Sequence, residues 1–107
     1  MYQNQGQPPG QGGEEFIRVR TPRGREVIGV VAATLGSSRF KITCQDNVSR
    51  VCRIPGKSKR MVWVRDGDIV LIEPWEVEPK EKGDIVFRYT RTQAEVLRRR
   101  GFLKGLF

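Results

Sequence analysis

The chain has 107 residues, a length that allows one domain with a single modest core. Its 20 Lys and Arg against 12 Asp and Glu give a net charge of +8, and it contains no histidine. These facts exclude Ser-His and Cys-His catalysis and histidine-ligated metals, and the two cysteines alone cannot close a zinc site. We therefore expect a basic binding protein, not an enzyme, with no cofactor and no metal.

The N-terminus has neither a basic n-region nor an apolar h-region, so no secretory signal is expected. No run approaches the ~20 apolar residues of a membrane span. A cytoplasmic protein without a membrane partner is therefore predicted. Residues 1–13 are uncharged and rich in Gln and Gly, a composition that does not form a core. We assign 1–15 to a flexible tail, 16–90 to a barrel, and 91–107 to a C-terminal helix and tail that pack on the barrel.

Charge is segregated along the chain from residue 14 onward. Residues 14–65 carry a net charge of +8, residues 66–84 a net charge of −5, and residues 85–107 a net charge of +5. An evenly mixed surface would not separate the two signs in this way. The pattern predicts one basic face and one acidic flank.

The first half of the chain has the composition of three strands. Val27–Thr34 is rich in β-branched residues, and Gly29 within it is typical of the bend of a small barrel. Residues 40–44 alternate apolar and polar, and Val48–Ile54 returns after a turn at residues 46–47. A two-residue loop would put Cys44 and Cys52 on opposite faces, whereas one more loop residue would put both inside. We expect both to be buried, reduced thiols.

Two further strands are predicted at Asp68–Trp75 and Asp84–Tyr89, with the short apolar-basic run Met61–Arg65 before them. Lys82 and Gly83 precede the last of these strands. Five short strands with glycine-marked bends predict a mainly β fold, a small closed barrel that leaves no exposed sheet edge.

A short helix follows the fifth strand. Thr92 and Glu95 have the spacing of a capping box, and Gly101 suits the position after the last helical turn. The helix must pack on the barrel to persist. The apolar ending, Phe102–Phe107, either folds back onto the protein or contacts a partner.

Candidate RNA contacts centre on the segment Arg53–Arg65, which has five basic residues and no acidic one. Lys57, Lys59 and Arg60 can reach a phosphate backbone from a loop, and Trp63 offers a stacking surface for an unpaired base. The alternative is a solvated loop beside a core tryptophan. With the strand-borne Arg39, Lys41, Arg65 and Arg88, these residues form the candidate RNA-binding set.

Other motifs are weaker indications of a functional site. Gly56-Lys57-Ser58 lacks the earlier glycine of a P-loop, because position 51 is valine. Asp66 and Asp68 flank a glycine, and we interpret them as turn formers and not as a magnesium site. Trp75 is expected to pack in the core or at its rim.

Specific motifs then indicate a family. The region Arg53–Tyr89 contains PGKSKRMVWV, DGDIVLIEPWE and KGDIVFR. It closely resembles the translation initiation factor 1A family of archaea and eukaryotes, and its second half is similar to bacterial initiation factor 1. The resemblance spans about residues 25–101. The neutral N-terminal segment, and the absence of an acidic tail before the end at Phe107, favour the archaeal branch.

The resemblance implies an S1-like OB-fold barrel that binds the small ribosomal subunit in the A site through its rRNA. It also implies support for initiator tRNA placement, together with other initiation factors, by a protein that is monomeric off the ribosome. The family's RNA-binding positions correspond to Arg39, Lys57, Lys59, Arg60 and Trp63, and Arg88 falls on a basic family position. Met61 stands where the family loop often has another basic residue.

Two alternatives stay open. A general binder of single-stranded RNA or DNA would use the same basic face. A protein adaptor would use the apolar end at Phe102–Phe107 or the acidic flank Asp66–Asp84.

Overall fold

A closed β-barrel with one helix outside it forms the structure. The computed structural model describes residues 19–56 and 64–106. These contain β1 (Val27–Gly36), β2 (Arg39–Cys44), β3 (Ser49–Arg53), β4 (Ile69–Pro74), β5 (Lys82–Arg88) and α1 (Arg91–Arg99). The predicted tail at 1–15 and residues 61–63 of the predicted Met61–Arg65 run lie outside the described residues.

The strands pair in the order β1-β2-β3-β5-β4, and β4 pairs back onto β1 to close the barrel. The β3–β5 pair is parallel, and the other four pairs are antiparallel. The predicted fold class, a five-stranded OB-fold barrel with a C-terminal helix, is confirmed.

The β2–β3 hairpin settles the register of the two cysteines. Thr43 pairs with Ser49, and the N–H of Cys44 donates to the carbonyl of Val48 at 2.9 Å, so the loop has three residues. The third of them, Asn47, has a φ of +67°, a conformation that asparagine tolerates well. Both cysteines therefore point inside and are free thiols, as the longer-loop alternative predicted.

Strand β4 contributes residues to two apolar clusters, one on each of its faces. The first fills the barrel and includes Val70 and Ile72, while the second lies between the barrel and α1 and includes Ile69 and Leu71. Successive side chains of a strand point to opposite faces, so a strand buried on both sides must be apolar at every position. The run of four apolar residues at the start of β4 meets this requirement.

The helix begins two residues earlier than the sequence predicted. Its N-cap is Thr90, whose hydroxyl accepts from the N–H of Gln93 at 3.1 Å, while the Gln93 side chain accepts from the N–H of Thr90 at 2.8 Å. The prediction of Thr92 and Glu95 as the capping pair was wrong. Both threonines have a Gln or Glu three residues later, and Thr90 is the one that directly follows β5. Glu95 instead pairs with Arg98 at 3.5 Å.

The C-terminal end folds back onto the barrel. Gly101 has a φ of +83°, and the N–H of Phe102 donates to the carbonyl of Leu97, which together form a Schellman cap. Leu103 is buried in the second cluster, with Phe102 and Leu106 packed against it. This supports the fold-back alternative as far as residue 106; Phe107 lies outside the described residues. None of the described helices is long and apolar enough to cross a membrane.

Arg50 ties two loops of the barrel together from a buried position. Its side chain is 4% exposed and makes two hydrogen bonds to the carboxylate of Asp46, at 3.1 and 2.9 Å. Its Nε donates to the carbonyl of Pro79, in the β4–β5 loop. A buried guanidinium is tolerated only when it is paired in this way.

Glycines within strands allow the close approach that barrel closure requires. A Cβ at Gly29 would lie 2.5 Å from Ile42 Cγ2 and 3.0 Å from the carbonyl oxygen of Thr43. A Cβ at Gly83 would lie 2.8 Å from Ile72 Cγ2. Strand β5 therefore begins two residues earlier than the predicted Asp84–Tyr89, and Gly83 is a buried strand residue that lets β5 lie against β4 and β3.

The variant Gly29→Ala is expected to lower the free energy of unfolding by about 1–3 kcal/mol, because the added methyl group forces apart a packed barrel. Urea unfolding followed by circular dichroism measures this. Gly56→Ala is the matched control, since nothing lies within 4 Å of a Cβ there. Equal stability of the two variants would contradict the close-approach explanation.

Alkaline pH is expected to destabilise the fold through Tyr89. Burial raises the pKa of this phenol from 10.0 to about 12. The folded state thus favours the protonated form, so its contribution to stability is complete below pH 10 and is lost between pH 10 and 12. Tyr89→Phe should flatten the fall in stability over this range, measured by urea unfolding at several pH values. Tyr2→Phe is the control, and an unchanged slope in Tyr89→Phe would contradict the assignment.

Candidate nucleic-acid interface

Cations collect on the outer surface of three neighbouring strands. Pairing aligns Arg39 of β2 with Arg53 of β3, and aligns Lys41 of β2 with Val51 of β3 and Lys82 of β5. The residues between them point into the barrel, so period-two alternation directs these cations outward. We call Arg39, Lys41, Arg53 and Lys82 the basic face.

The face corresponds to the surface with which OB-folds hold oligonucleotides, namely strands 2 and 3 with the β1–β2 and β4–β5 loops. Arg39, Lys41 and Arg53 are exposed, and Lys82 is half-buried. Within the described residues, the side chains of Arg39 and Lys41 make no hydrogen bond or ion pair. Their charges are thus available to a phosphate backbone, whereas Arg53 is partly neutralised by Asp84 at 3.1 Å.

Trp75 lies at the edge of the basic face, just after β4. The guanidinium carbon of Arg53 lies 4.9 Å from the centre of its ring, and the ammonium of Lys82 lies 5.7 Å away. Its indole N–H donates to Asp84 at 2.9 Å. The ring is half-buried and belongs to neither apolar cluster, so it packs at the rim of the core.

Arg65 and Arg88 both contact Asp68, in the turn that leads into β4. The carboxylate of Asp68 accepts from the backbone N–H of Arg65 at 2.8 Å and from the Arg88 side chain at 3.0 Å. Asp66 accepts from the hydroxyl of Thr34 at 2.8 Å. The two aspartates therefore act as turn formers, as interpreted from the sequence.

The eight predicted RNA-binding residues thus fall into three groups. Arg39 and Lys41 lie on the basic face, while Arg65 and Arg88 lie at the Asp66–Asp68 turn. Four residues, Lys57, Lys59, Arg60 and Trp63, lie outside the described residues. No hydrogen bond or ion pair between described residues joins the first group to the second.

Sequence reasoning missed Arg53, Lys82 and Trp75 as members of the interface. Arg53 could have been found, because it follows the inward Cys52 by one position and must point outward. Lys82 was missed because the predicted fifth strand began at Asp84, two residues later than β5 does in the structure. The position of Trp75 depends on the pairing of β4 with β5, which no local pattern predicts.

The thiols inside the barrel are poor nucleophiles. Burial raises the pKa of the Cys44 thiol, and it raises the pKa of Cys52 from 9.0 to about 12. Both therefore remain protonated at neutral pH, and the thiolate is the reactive form. What the described surface offers is positive charge and an aromatic ring, the chemistry of nucleic-acid binding.

Comparison with known proteins decides the family. Residues 13–107 match the family described as translation initiation factor 1A / IF-1. The chain belongs to this family. Translation initiation factor 1A of Methanothermobacter thermautotrophicus is 50% identical over 91 residues, covering 85% of this chain and 92% of the relative. That of Pyrococcus abyssi is 48% identical over 89 residues, covering 83% and 79%.

Membership of the initiation factor 1A family confirms the resemblance derived from the sequence motifs. The named relatives are archaeal, as the neutral N-terminal segment led us to expect. The matched region includes the barrel, α1 and the basic segment at residues 57–60. The basic face thus belongs to a translation initiation factor with an S1-like OB-fold barrel.

Charge reversal on the basic face should weaken RNA binding. For the double variant Arg39→Glu and Lys41→Glu, we expect lower affinity for a single-stranded RNA oligomer. We also expect the slope of log affinity against log salt to become shallower by about 0.7 for each lost phosphate contact. Fluorescence anisotropy at four or more salt concentrations measures both quantities.

The matched control is Arg91→Glu with Lys104→Glu, which changes the net charge equally at two exposed positions outside the basic face and outside the β4–β5 loop. It should lose less affinity and keep most of the slope. Equal losses in the two double variants would mean that net charge, and not this face, determines binding.

Proposed function

We propose that the protein binds the small ribosomal subunit in the A site through rRNA contacts and supports initiator tRNA placement during start-site selection. The observation that carries this proposal is the basic face, an exposed row of cations on the oligonucleotide-binding strands of an OB barrel. Family membership supplies the ribosomal context. The proposed rRNA contacts are Arg39, Lys41, Lys57, Lys59, Arg60, Trp63, Arg65 and Arg88.

The proposed mechanism is occupancy of an rRNA site, without bond making or breaking, so the protein is not an enzyme. Lys and Arg that contact phosphates release condensed counterions, and this release drives association. If about six phosphates are neutralised, log affinity should fall with log salt at a slope near −4 on single-stranded RNA. A slope near zero would contradict this mechanism.

The partners we propose are the rRNA of the small subunit, initiator tRNA and other initiation factors bound to the same subunit. The protein acts in the cytoplasm and is monomeric off the ribosome. A second candidate, a general binder of single-stranded RNA or DNA, is favoured by the same basic face, because contacts to phosphates carry no sequence information.

Binding to purified small ribosomal subunits separates the two candidates. Large subunits and a random RNA oligomer serve as competitors at moderate salt. The initiation-factor proposal predicts saturable binding that neither competitor removes. Equal binding to every RNA would support the general binder instead.

The basic segment is tested in the same assay. The triple variant Lys57→Glu, Lys59→Glu and Arg60→Glu should lose small-subunit binding, because like charges are brought against the phosphate backbone. The control, with equal charge change at exposed positions, is Arg23→Glu, Arg91→Glu and Lys104→Glu. Retained binding in the first variant would remove this segment from the site.

A further inference from the structure

Trp75 is held in one orientation by contacts to all of its polar groups. Its N–H donates to the carbonyl of Lys82 at 3.1 Å, and its carbonyl accepts from the Arg25 guanidinium at 3.0 Å. Its indole N–H is bound by Asp84. These contacts fix a half-buried aromatic ring that neither apolar cluster includes. Such an oriented ring is suited to stacking with an external planar group.

An open cavity of about 320 Å³ lies against this ring. Arg25 and Arg53 line it, together with Glu73, Glu76 and Asp84. This volume is at the lower end of the range for small-molecule sites and accommodates one nucleobase. Both the indole ring and the Arg53 guanidinium are surfaces on which unpaired bases stack.

The carboxylates decide which part of an RNA enters the cavity. The side chains of Glu73 and Glu76 are exposed, and neither makes a hydrogen bond or ion pair within the described residues. They would repel a phosphate, whereas the adjoining basic face attracts it. An RNA strand therefore fits with its backbone on the basic face and one base turned into the cavity.

The same carboxylates select among the bases. An ionised carboxylate only accepts hydrogen bonds, and its two oxygens match two adjacent donors. The Watson–Crick edge of guanine presents two adjacent donors, N1–H and the N2 amino group. The corresponding edges of uracil, cytosine and adenine place an acceptor beside each donor.

We propose that the cavity beside Trp75 binds one unpaired guanine of the RNA held by the basic face. The guanine stacks on the Trp75 ring, and its Watson–Crick edge donates to Glu73 or Glu76. This inference rests on the proposed RNA-binding function and adds to it a base-selective subsite.

Tryptophan fluorescence tests the subsite directly. The variant Trp63→Phe leaves Trp75 as the one tryptophan of the chain. In this background, an oligouridine with a single central guanine should quench Trp75 fluorescence and bind about fivefold or more tightly than oligouridine alone. Equal quenching and equal affinity for the two oligomers would overturn the proposal.

Two charge-matched double variants test whether Glu73 and Glu76 cause the preference for guanine. Glu73→Gln with Glu76→Gln should abolish the preference for the guanine-containing oligomer. Glu78→Gln with Glu81→Gln, which raises the net charge equally in the adjoining β4–β5 loop, should retain it. Loss of the preference in both, or in neither, would contradict selection by the cavity carboxylates.

A stacking variant completes the test. Trp75→Ala should lose about 5- to 150-fold in affinity for the guanine-containing oligomer, with circular dichroism confirming that it folds. If it does not fold, the glutamate variants still decide the question. All variants are also tested on small subunits. Normal guanine selectivity without small-subunit preference would overturn the ribosomal proposal alone, and the reverse result would overturn the subsite alone.

Discussion

The parallel pairing of β3 with β5 determines both the core and the outer surface of the barrel. The closed barrel requires this pair, and its register fixes which residues face outward. It aligns Cys52 with Gly83 on the inside and Arg53 with Asp84 on the outside. Closure leaves no free strand edge and therefore requires tight approach at Gly83, where a Cβ would meet Ile72 and Cys52. A one-residue slip would turn the cations of the basic face into the barrel, where they would be unpaired. The same register thus determines both the core and the binding surface.

The two sides of the sheet are used for different purposes. Strands β1, β4 and β5 carry the helix and the C-terminal end on their outer surface, which buries Leu71 and Leu97 in one cluster. Within residues 19–56 and 64–106, no helix lies over strands β2 and β3, and the outward residues Arg39, Lys41 and Arg53 are exposed and charged. Part of the acidic stretch noted in the sequence is paired with cations: Asp68 pairs with Arg88 and Asp84 with Arg53. Glu73 and Glu76 line the cavity at the edge of the basic face.

Local sequence patterns predicted the elements well and their long-range consequences poorly. Alternation in residues 40–44 predicted β2, but the cysteine register depended on loop length, which the conformation of Asn47 determines. Two capping boxes were possible for α1, and the position of the end of β5 selected Thr90. Gly83 was placed before β5 and not within it, because its role is steric contact with residues distant in sequence. Trp75 joined the interface through contacts with Arg53 and Asp84, which only strand pairing brings near.

We expect RNA to bind the outer surface of β2, β3 and β5. The most direct measurement is a two-dimensional ¹H–¹⁵N NMR titration of the labelled protein with single-stranded RNA. If RNA lies on this surface, the largest shifts occur at the backbone amides of Arg39, Lys41 and Arg53 and at the Trp75 indole, with little change in α1. Shifts confined to α1 or to the Asp66–Asp68 turn would contradict it.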